Sequence, residues 1–445
     1  MMLRKLQLCV FASLTCCLVT ATATAQTSGN KLINTIPYLY GSDGLTLPNP
    51  FHEAHFTGSS LENFTPLNSA LASQLVLLQG SSPASGFTYA FDQSLGVYTL
   101  STQNFGPILT ERAETIGRHK FLLGFSYQYF NFDTIDGIDL KKIPSVFTHE
   151  PDTGPGGTPA AYEADYITSN NSISLTLNQY TTFVTFGITK NLDISAAIPI
   201  VSTRFRVDSD ATIHRMQPTY VGCGGPGIPG ICHYFDPNDR ANSVEKDFPG
   251  SGTASGLGDI TIRVKGTVWK GERAAFAAAA DVRTPTGDES NFLGSGAVGF
   301  KPFAAFSYHY KRVSPEVNVG YQWNGSSVLA GDVRTGAKQR LPNQFFYAVG
   351  ASVGAAKYLS FAFDLLGQRV ISGERVFLGS YTDALGQSSP STNIGKGSYN
   401  MTNGAVGFRV SPADKLLITA NLLFKLDDGG LRANVVPLVG FSYTF

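Results

Sequence analysis

Charge is scarce in this chain. Asp, Glu, Lys and Arg make up 15% of its 445 residues, and 33 basic side chains balance 33 acidic ones to a formal net charge of zero. Without a basic excess there is no electrostatic hold on nucleic acid or another polyanion, which excludes that class of partner. No apolar run beyond the N-terminal segment is long enough to cross a bilayer as a helix, so a membrane-spanning form must use strands.

Cysteine is also sparse. Three of the five, Cys9, Cys16 and Cys17, fall in a segment that reads as a cleaved secretory signal over residues 1–25. Arg4 and Lys5 precede the apolar run Leu8 to Val19, and Ala23-Thr24-Ala25 supplies small residues before Gln26. The run is too short for an anchor, and neither Cys16 nor Cys17 follows the pattern that lipidation needs. Cys223 and Cys232 remain, in a Gly/Pro-rich loop of a protein exported to an oxidising compartment, and a disulfide between them is expected. A metal site built on them with His233 lacks a fourth ligand at ordinary zinc spacing, so no metal is expected there.

Glycine (47 residues) and aromatics (12%) are plentiful, as suits membrane strands. At the C-terminus Val439, Phe441, Tyr443 and Phe445 alternate with small or polar residues. A period of two gives one face to lipid and the other to a lumen, with terminal aromatics at the interface. Phe441, Tyr443 and Phe445 resemble the C-terminal signal of bacterial outer-membrane barrels, which the barrel-assembly machinery reads. The expected location is the outer membrane of a Gram-negative-type bacterium, among its lipids.

Walking back from Phe445, about twelve alternating segments appear, from Lys120–Phe132 to Leu431–Phe445. The expected fold is all-β: an antiparallel transmembrane β-barrel over residues 118–445. Short turns at Lys190-Asn191, Gly271-Glu272, His309–Ser314, Ala355–Lys357 and Ser411–Asp414 should face the periplasm, and the mostly longer alternates the outside. Asp427–Gly430 would be a short external exception joining the last two strands. One strand is uneven: Ile173, Leu175 and Leu177 have one parity, whereas Tyr180, Val184, Phe186 and Ile188 have the other. A bulge near Gln179 or an upper half standing above the lipid would each account for it.

Parity also gives the candidate lumen lining: Asp259, Arg263, Lys265, Asp281, Arg283, Asn318, Gln322, Asp364 and Gln368. Mutual pairing of these acids and bases is one reading; a basic rung of Arg263, Lys265 and Arg283 selecting anions is the other. Twelve strands imply a narrow passage or a ligand-sized cavity.

Residues 26–117 do not continue the strand series, and read as a hatch inserted in the lumen, a periplasmic cap or an extension. Thr65-Pro66 has the form of a helix start, and Leu67, Leu71, Leu75 and Leu78 recur at helical spacing until Gly80, so one short gating helix is expected. A small hairpin follows around Gln93–Gly96.

Three blocks, Gly256-Leu-Gly-Asp259 through Gly266, Asp281-Val-Arg-Thr-Pro-Thr-Gly-Asp288 with Gly294-Ser-Gly296, and Glu316-Val-Asn-Val-Gly-Tyr321, resemble the outer-membrane family named for the MetA pathway of phenol degradation. The resemblance covers roughly the C-terminal two-thirds. It implies a channel for a small hydrophobic or aromatic solute, similar in concept to long-chain fatty-acid channels, with no catalytic residues to carry over; no cofactor is expected, and without the size and plug domain of the larger energised receptors the expected transport is passive, with no energy coupling of its own.

Two other classes compete. A structural or adhesive barrel would display the long loops. An outer-membrane lipolytic enzyme would need a Ser/His pair on the lipid face, and none of the seven histidines falls there, so no enzyme is expected. His52-Glu-Ala-His55 has metal-like spacing but lacks the helical context of a zinc motif and reads as a polar loop.

Overall fold

A computed structural model describes residues 31–78, 89–92, 97–100, 105–150, 164–413 and 415–445; the expected signal peptide and Gly80 lie outside them. Twelve antiparallel strands close into a barrel. They are β1 (Phe121–Asn131), β2 (Tyr166–Gly187), β3 (Leu192–His214), β4 (Thr261–Lys270), β5 (Ala274–Arg283), β6 (Gly299–Tyr308), β7 (Val313–Asn324), β8 (Asn343–Ala356), β9 (Leu359–Thr382), β10 (Ser388–Ala413), β11 (Leu416–Lys425) and β12 (Val435–Thr444). Each pairs with its sequence neighbour, and β12 closes on β1 from Leu438 opposite Gln128 to Thr444 opposite Leu122. The Phe445 amide reaches the Phe121 carbonyl at 2.7 Å, so the terminal aromatic completes the seam.

The alternation that makes these segments strands also sorts their environments. Val264, Val319, Phe363 and Ile418 stand outward and exposed, and the positions between them point inward and are buried. Trp269, Tyr310, Tyr358 and Phe445 mark the short-turn end, and Phe300, stacked on Trp323 at 6.0 Å, the opposite end. Two aromatic girdles around an apolar band are the outer surface of a membrane barrel.

Several strands continue well beyond that band. β2 and β3 pair without a register shift from Gly187 opposite Asp193 to Tyr166 opposite His214, so there is no bulge at Gln179. The odd positions face inward throughout. Ile173, Leu175 and Leu177 are buried against the interior of a tall rim, whereas Tyr180 and Phe186 lie lower and face lipid. The uneven parity therefore marks a change of outer solvent, not of backbone.

Two further strands thicken this rim: Ile143–Thr148 pairs with upper β2, and Glu245–Leu257 with upper β3. The Asp427–Gly430 turn is followed by Leu431-Arg432, which pairs with Thr134-Ile135 rather than joining β12 directly. Both residues are buried, so this connection folds inward over the barrel.

The helix differs from its expected span. α1 runs Thr57–Leu75, two turns earlier than Thr65-Pro66, and encloses Pro66. Its early turns, Gly58-Ser59-Ser60, carry no apolar period, but the Glu150 carboxylate accepts from the Gly58 amide at 2.7 Å and Ser59 donates to the Thr148 carbonyl at 2.8 Å. A carboxylate at a helix N-terminus satisfies an open N–H and opposes the helix dipole. From Leu67 to Gln74 every residue is buried, so α1 is surrounded by the rim instead of presenting one apolar stripe. A hairpin pairs Tyr89–Asp92 with Val97–Leu100.

Candidate functional site: a lumen closed twice

The lower lumen is occupied by an extended strap, residues 105–116, buried from end to end. Polar wall residues hold it from every side. Asp364 accepts from the amides of Ile108 (3.2 Å) and Thr110 (3.0 Å) and from the Thr110 hydroxyl (2.7 Å). Asn318 accepts from the Glu111 amide at 2.7 Å and donates to its carbonyl at 2.6 Å. Arg409 donates to the carbonyls of Phe105 (2.5 Å) and Gly106 (3.1 Å). Asp193 accepts from the Ile116 amide at 2.8 Å. A backbone without ladder partners is thus satisfied by side chains, as a buried segment requires.

The charged centre is Glu111. Its carboxylate lies 2.5 Å from Arg263 and 2.7 Å from Lys265, and Arg263 also forks onto Asp281 at 2.6 and 2.8 Å. Lys301 adds a contact to Asp281 at 3.0 Å. Of the two readings of the inward charges, pairing is what the structure contains, because the strap supplies a carboxylate to Arg263 and Lys265. No basic rung is left open by these residues.

Higher in the barrel the remaining lining candidates hold other elements. Gln368 donates to the Leu77 carbonyl at 3.1 Å, and Arg283 donates to Asn324 at 2.9 Å and approaches Asp259 at 3.6 Å. Gln322 accepts from Gln344 of β8 at 3.0 Å and donates to Asn324 on its own strand at 2.9 Å. Asp259 accepts from the amides of Gly287 (3.0 Å) and Ser295 (2.8 Å), fastening the external turn between β5 and β6. The hatch reading of residues 26–117 contained the strap, but sequence reasoning singled out the helix there and not residues 105–116. The strap's signal was Glu111-Arg112-x-Glu114, a charged run in a charge-poor region, which makes sense only against the wall charges.

Between the strap and the end of α1 lies a cavity of about 340 Å³. Leu75, Val76, Leu77 and Leu78 form its roof, Leu109 and Glu111 its floor, and Phe183, Phe303, Phe346 and Leu366 parts of its wall. Two of the expected gating residues, Leu75 and Leu78, thus border it, whereas Leu67 and Leu71 pack into the core of the rim. Arg263 stands over the Phe303 ring at 4.9 Å and Lys301 over Phe346 at 5.2 Å. The lining is mixed, with these apolar and aromatic groups beside charged and amide side chains such as Asp259, Arg263, Asp281 and Gln344, and a chamber of this size suits one small organic molecule that carries a polar group.

His309 does stand beside a serine, Ser314, at 2.9 Å, and beside Glu114 at 2.6 Å. The trio faces inward at the short-turn end and secures the strap's foot, so it presents no nucleophile to lipid. Cys223 and Cys232 are joined as a disulfide, with Cα atoms 5.0 Å apart, in the outer loop. His52 and His55, expected as part of a polar loop, instead meet His149 and His233 in the rim. Sequence spacing concealed this because the four come from three separate segments.

A family model described as "Putative MetA-pathway of phenol degradation" matches residues 153–429, more than half of the chain. Among solved structures, an outer membrane channel from Pseudomonas putida F1 is 13% identical, with 75% of this chain and 98% of that one covered and a TM-score of 0.45. The Ralstonia pickettii toluene transporter TbuX is 11% identical over 86% of this chain and 99% of its own, with a TM-score of 0.34. The CymD monoaromatic hydrocarbon channel is 8% identical over 74% and 89%, with a TM-score of 0.33. No curated protein matches the sequence at a significant level.

Proposed function

The chain belongs to the family described as the putative MetA-pathway of phenol degradation, and from that premise we propose that it is an outer-membrane channel for passive uptake of small hydrophobic or aromatic molecules. The observation that carries this reading is the chamber of about 340 Å³ inside a membrane barrel, with Phe183, Phe303 and Phe346 on its wall, Leu75–Leu78 above it and the strap below. A permanently open pore would admit water and ions; a chamber with two closures holds one solute and admits little else. Entry from outside requires the roof at Leu75–Leu78 to shift, and exit requires the strap to give way around Glu111.

The polar groups in the chamber suit a solute with an aromatic ring and a hydroxyl. A ring could stack near Phe303 or Phe346, and its hydroxyl could reach the Arg263, Asp281 and Lys301 set. The external loops favour this reading over display: Phe292, Leu329 and Leu431 join the core instead of standing free.

The test is uptake by proteoliposomes containing the untagged protein, offered phenols, fatty acids and sugars in parallel. Phenols or other small hydrophobic solutes should enter faster than into empty vesicles, and sugars should not. Leu366→Trp, which fills the chamber, should abolish that uptake while leaving the barrel folded. A barrel impermeable to every solute, both as wild type and with Glu111→Ala loosening the strap, overturns the channel reading.

A further inference from the structure

We propose that His52, His55, His149 and His233 form a binding site for a divalent transition-metal ion of the zinc class, which fastens the segment leading into α1 to the outer loops. One ligand atom from each ring can be chosen so that all lie within 4.8 Å of one another. Tetrahedral zinc with imidazole nitrogens at about 2.0–2.1 Å needs nitrogen separations a little above 3 Å, so only modest closure is required. The Nδ1 atoms of His52 and His55 are already 3.2 Å apart. Ring centroids of His55 and His149 are 4.1 Å apart, and those of His149 and His233 are 5.2 Å apart.

The tautomers are set by the surroundings. Nδ1 of His233 lies 2.8 Å from the Asp165 carboxylate, a pair fully buried, and Nδ1 of His149 lies 2.6 Å from the Glu150 carbonyl. Both partners only accept, so each Nδ1 carries a hydrogen, and in the neutral ring that ligates a metal each Nε2 holds the lone pair. A carboxylate behind a ligating imidazole is the usual outer support of a zinc site. Asp165 is itself fixed by the Met216 amide at 2.8 Å and the Tyr220 hydroxyl at 2.5 Å.

The donor set excludes other ions. Four nitrogens with no oxygen donor disfavour calcium and magnesium and suit zinc, copper, nickel or cobalt. Four protein ligands leave no open position, so the site is a fastening and not a catalytic centre. Two ligands are spaced as His-x-x-His before α1, and the others come from the end of the Ile143–Thr148 strand and from the disulfide loop. The Cys223 sulfur is 3.6 Å from Nε2 of His52, so the disulfide forms one wall. A bound ion ties the start of α1 to the outer loops, at the opposite end of the helix from the chamber roof.

The experiment uses the full mature chain, without a polyhistidine tag, in detergent micelles after exhaustive chelation. Zn²⁺ is titrated against a chromogenic indicator, and Co²⁺ spectra report geometry. One Zn²⁺ per chain is expected, with visible Co²⁺ bands of tetrahedral type and a rise in the unfolding temperature of the rim. His55→Ala and His149→Gln should each remove binding, and Asp165→Asn should weaken it roughly 10- to 100-fold. Heat-modifiable gel migration shows that each variant is folded. Stoichiometric Zn²⁺ equal in wild type and in the His55→Ala, His149→Gln double variant overturns the proposal. So does binding that appears only after the disulfide is reduced, which would assign the ion to thiolates.

Discussion

The two storeys of this barrel are built on opposite rules. In the band between the aromatic girdles, Val264, Val319 and Phe363 face out and Arg263, Lys265, Asp281 and Asp364 face in. In the rim, Leu175, Phe205, Val207 and Ile213 face in, while Arg206 and Asp210 face out. β3 crosses from one storey to the other without changing its alternation: odd positions remain inward from Asp193 and Ser195 through Phe205 and Val207. The difference lies in what each storey touches. Lipid outside requires an apolar exterior and leaves polar groups for the lumen; water outside permits an ordinary apolar core, which α1 then fills. The Tyr40 hydroxyl shows how dry that core is: burial pushes its pKa up to about 12 even though Ser209 lies 2.6 Å away.

The comparison breaks most readily at the strap. Glu111→Ala takes the strap's carboxylate from both Arg263 and Lys265, and loss of one partner of a buried pair costs about 3–5 kcal/mol. The expected result is release of the strap, seen as new ion conductance in planar bilayers and a lower temperature for heat modification. Leu71→Ala, in the rim, should cost about 2–5 kcal/mol through the cavity it leaves, yet add no conductance. If both variants conduct equally, the storeys are not independent closures.

The exterior rule can be tested on position alone. Val319→Arg places a charge against lipid and should cost about 2–4 kcal/mol if near the midplane, measured by urea unfolding in vesicles. Arg206→Leu, on the water-facing side of the rim, should change stability by only about 0.5 kcal/mol. Equal costs at the two positions would mean the rim is also embedded. A similarly small effect is expected from Glu150→Gln, which weakens the interaction at the start of α1 by about 0.3–1 kcal/mol, read as faster hydrogen exchange over the first turn of the helix.

Much of this was legible beforehand because a strand's period is local. The alternation of Ile260, Ile262 and Val264 against Arg263 and Lys265 locates both faces without knowledge of any neighbour, and the seam at Phe445 follows in the same way. The beginning of α1 was not legible, because its first turns depend on Glu150, which lies far along the chain. Neither was the histidine cluster, since His52-x-x-His55 has no meaning until His149 and His233 arrive from other segments.

The amino-acid sequence by itself determined the barrel, its strand count and the lipid-facing band, since these rest on nearest-neighbour periodicity. Only the tertiary structure decided what fills the lumen: which wall charge meets Glu111, where α1 sits, and where the chamber between them remains. Those are contacts between residues more than a hundred positions apart, as between Glu111 and Arg263, and a side chain's partner across such a distance is set by closure of the whole barrel.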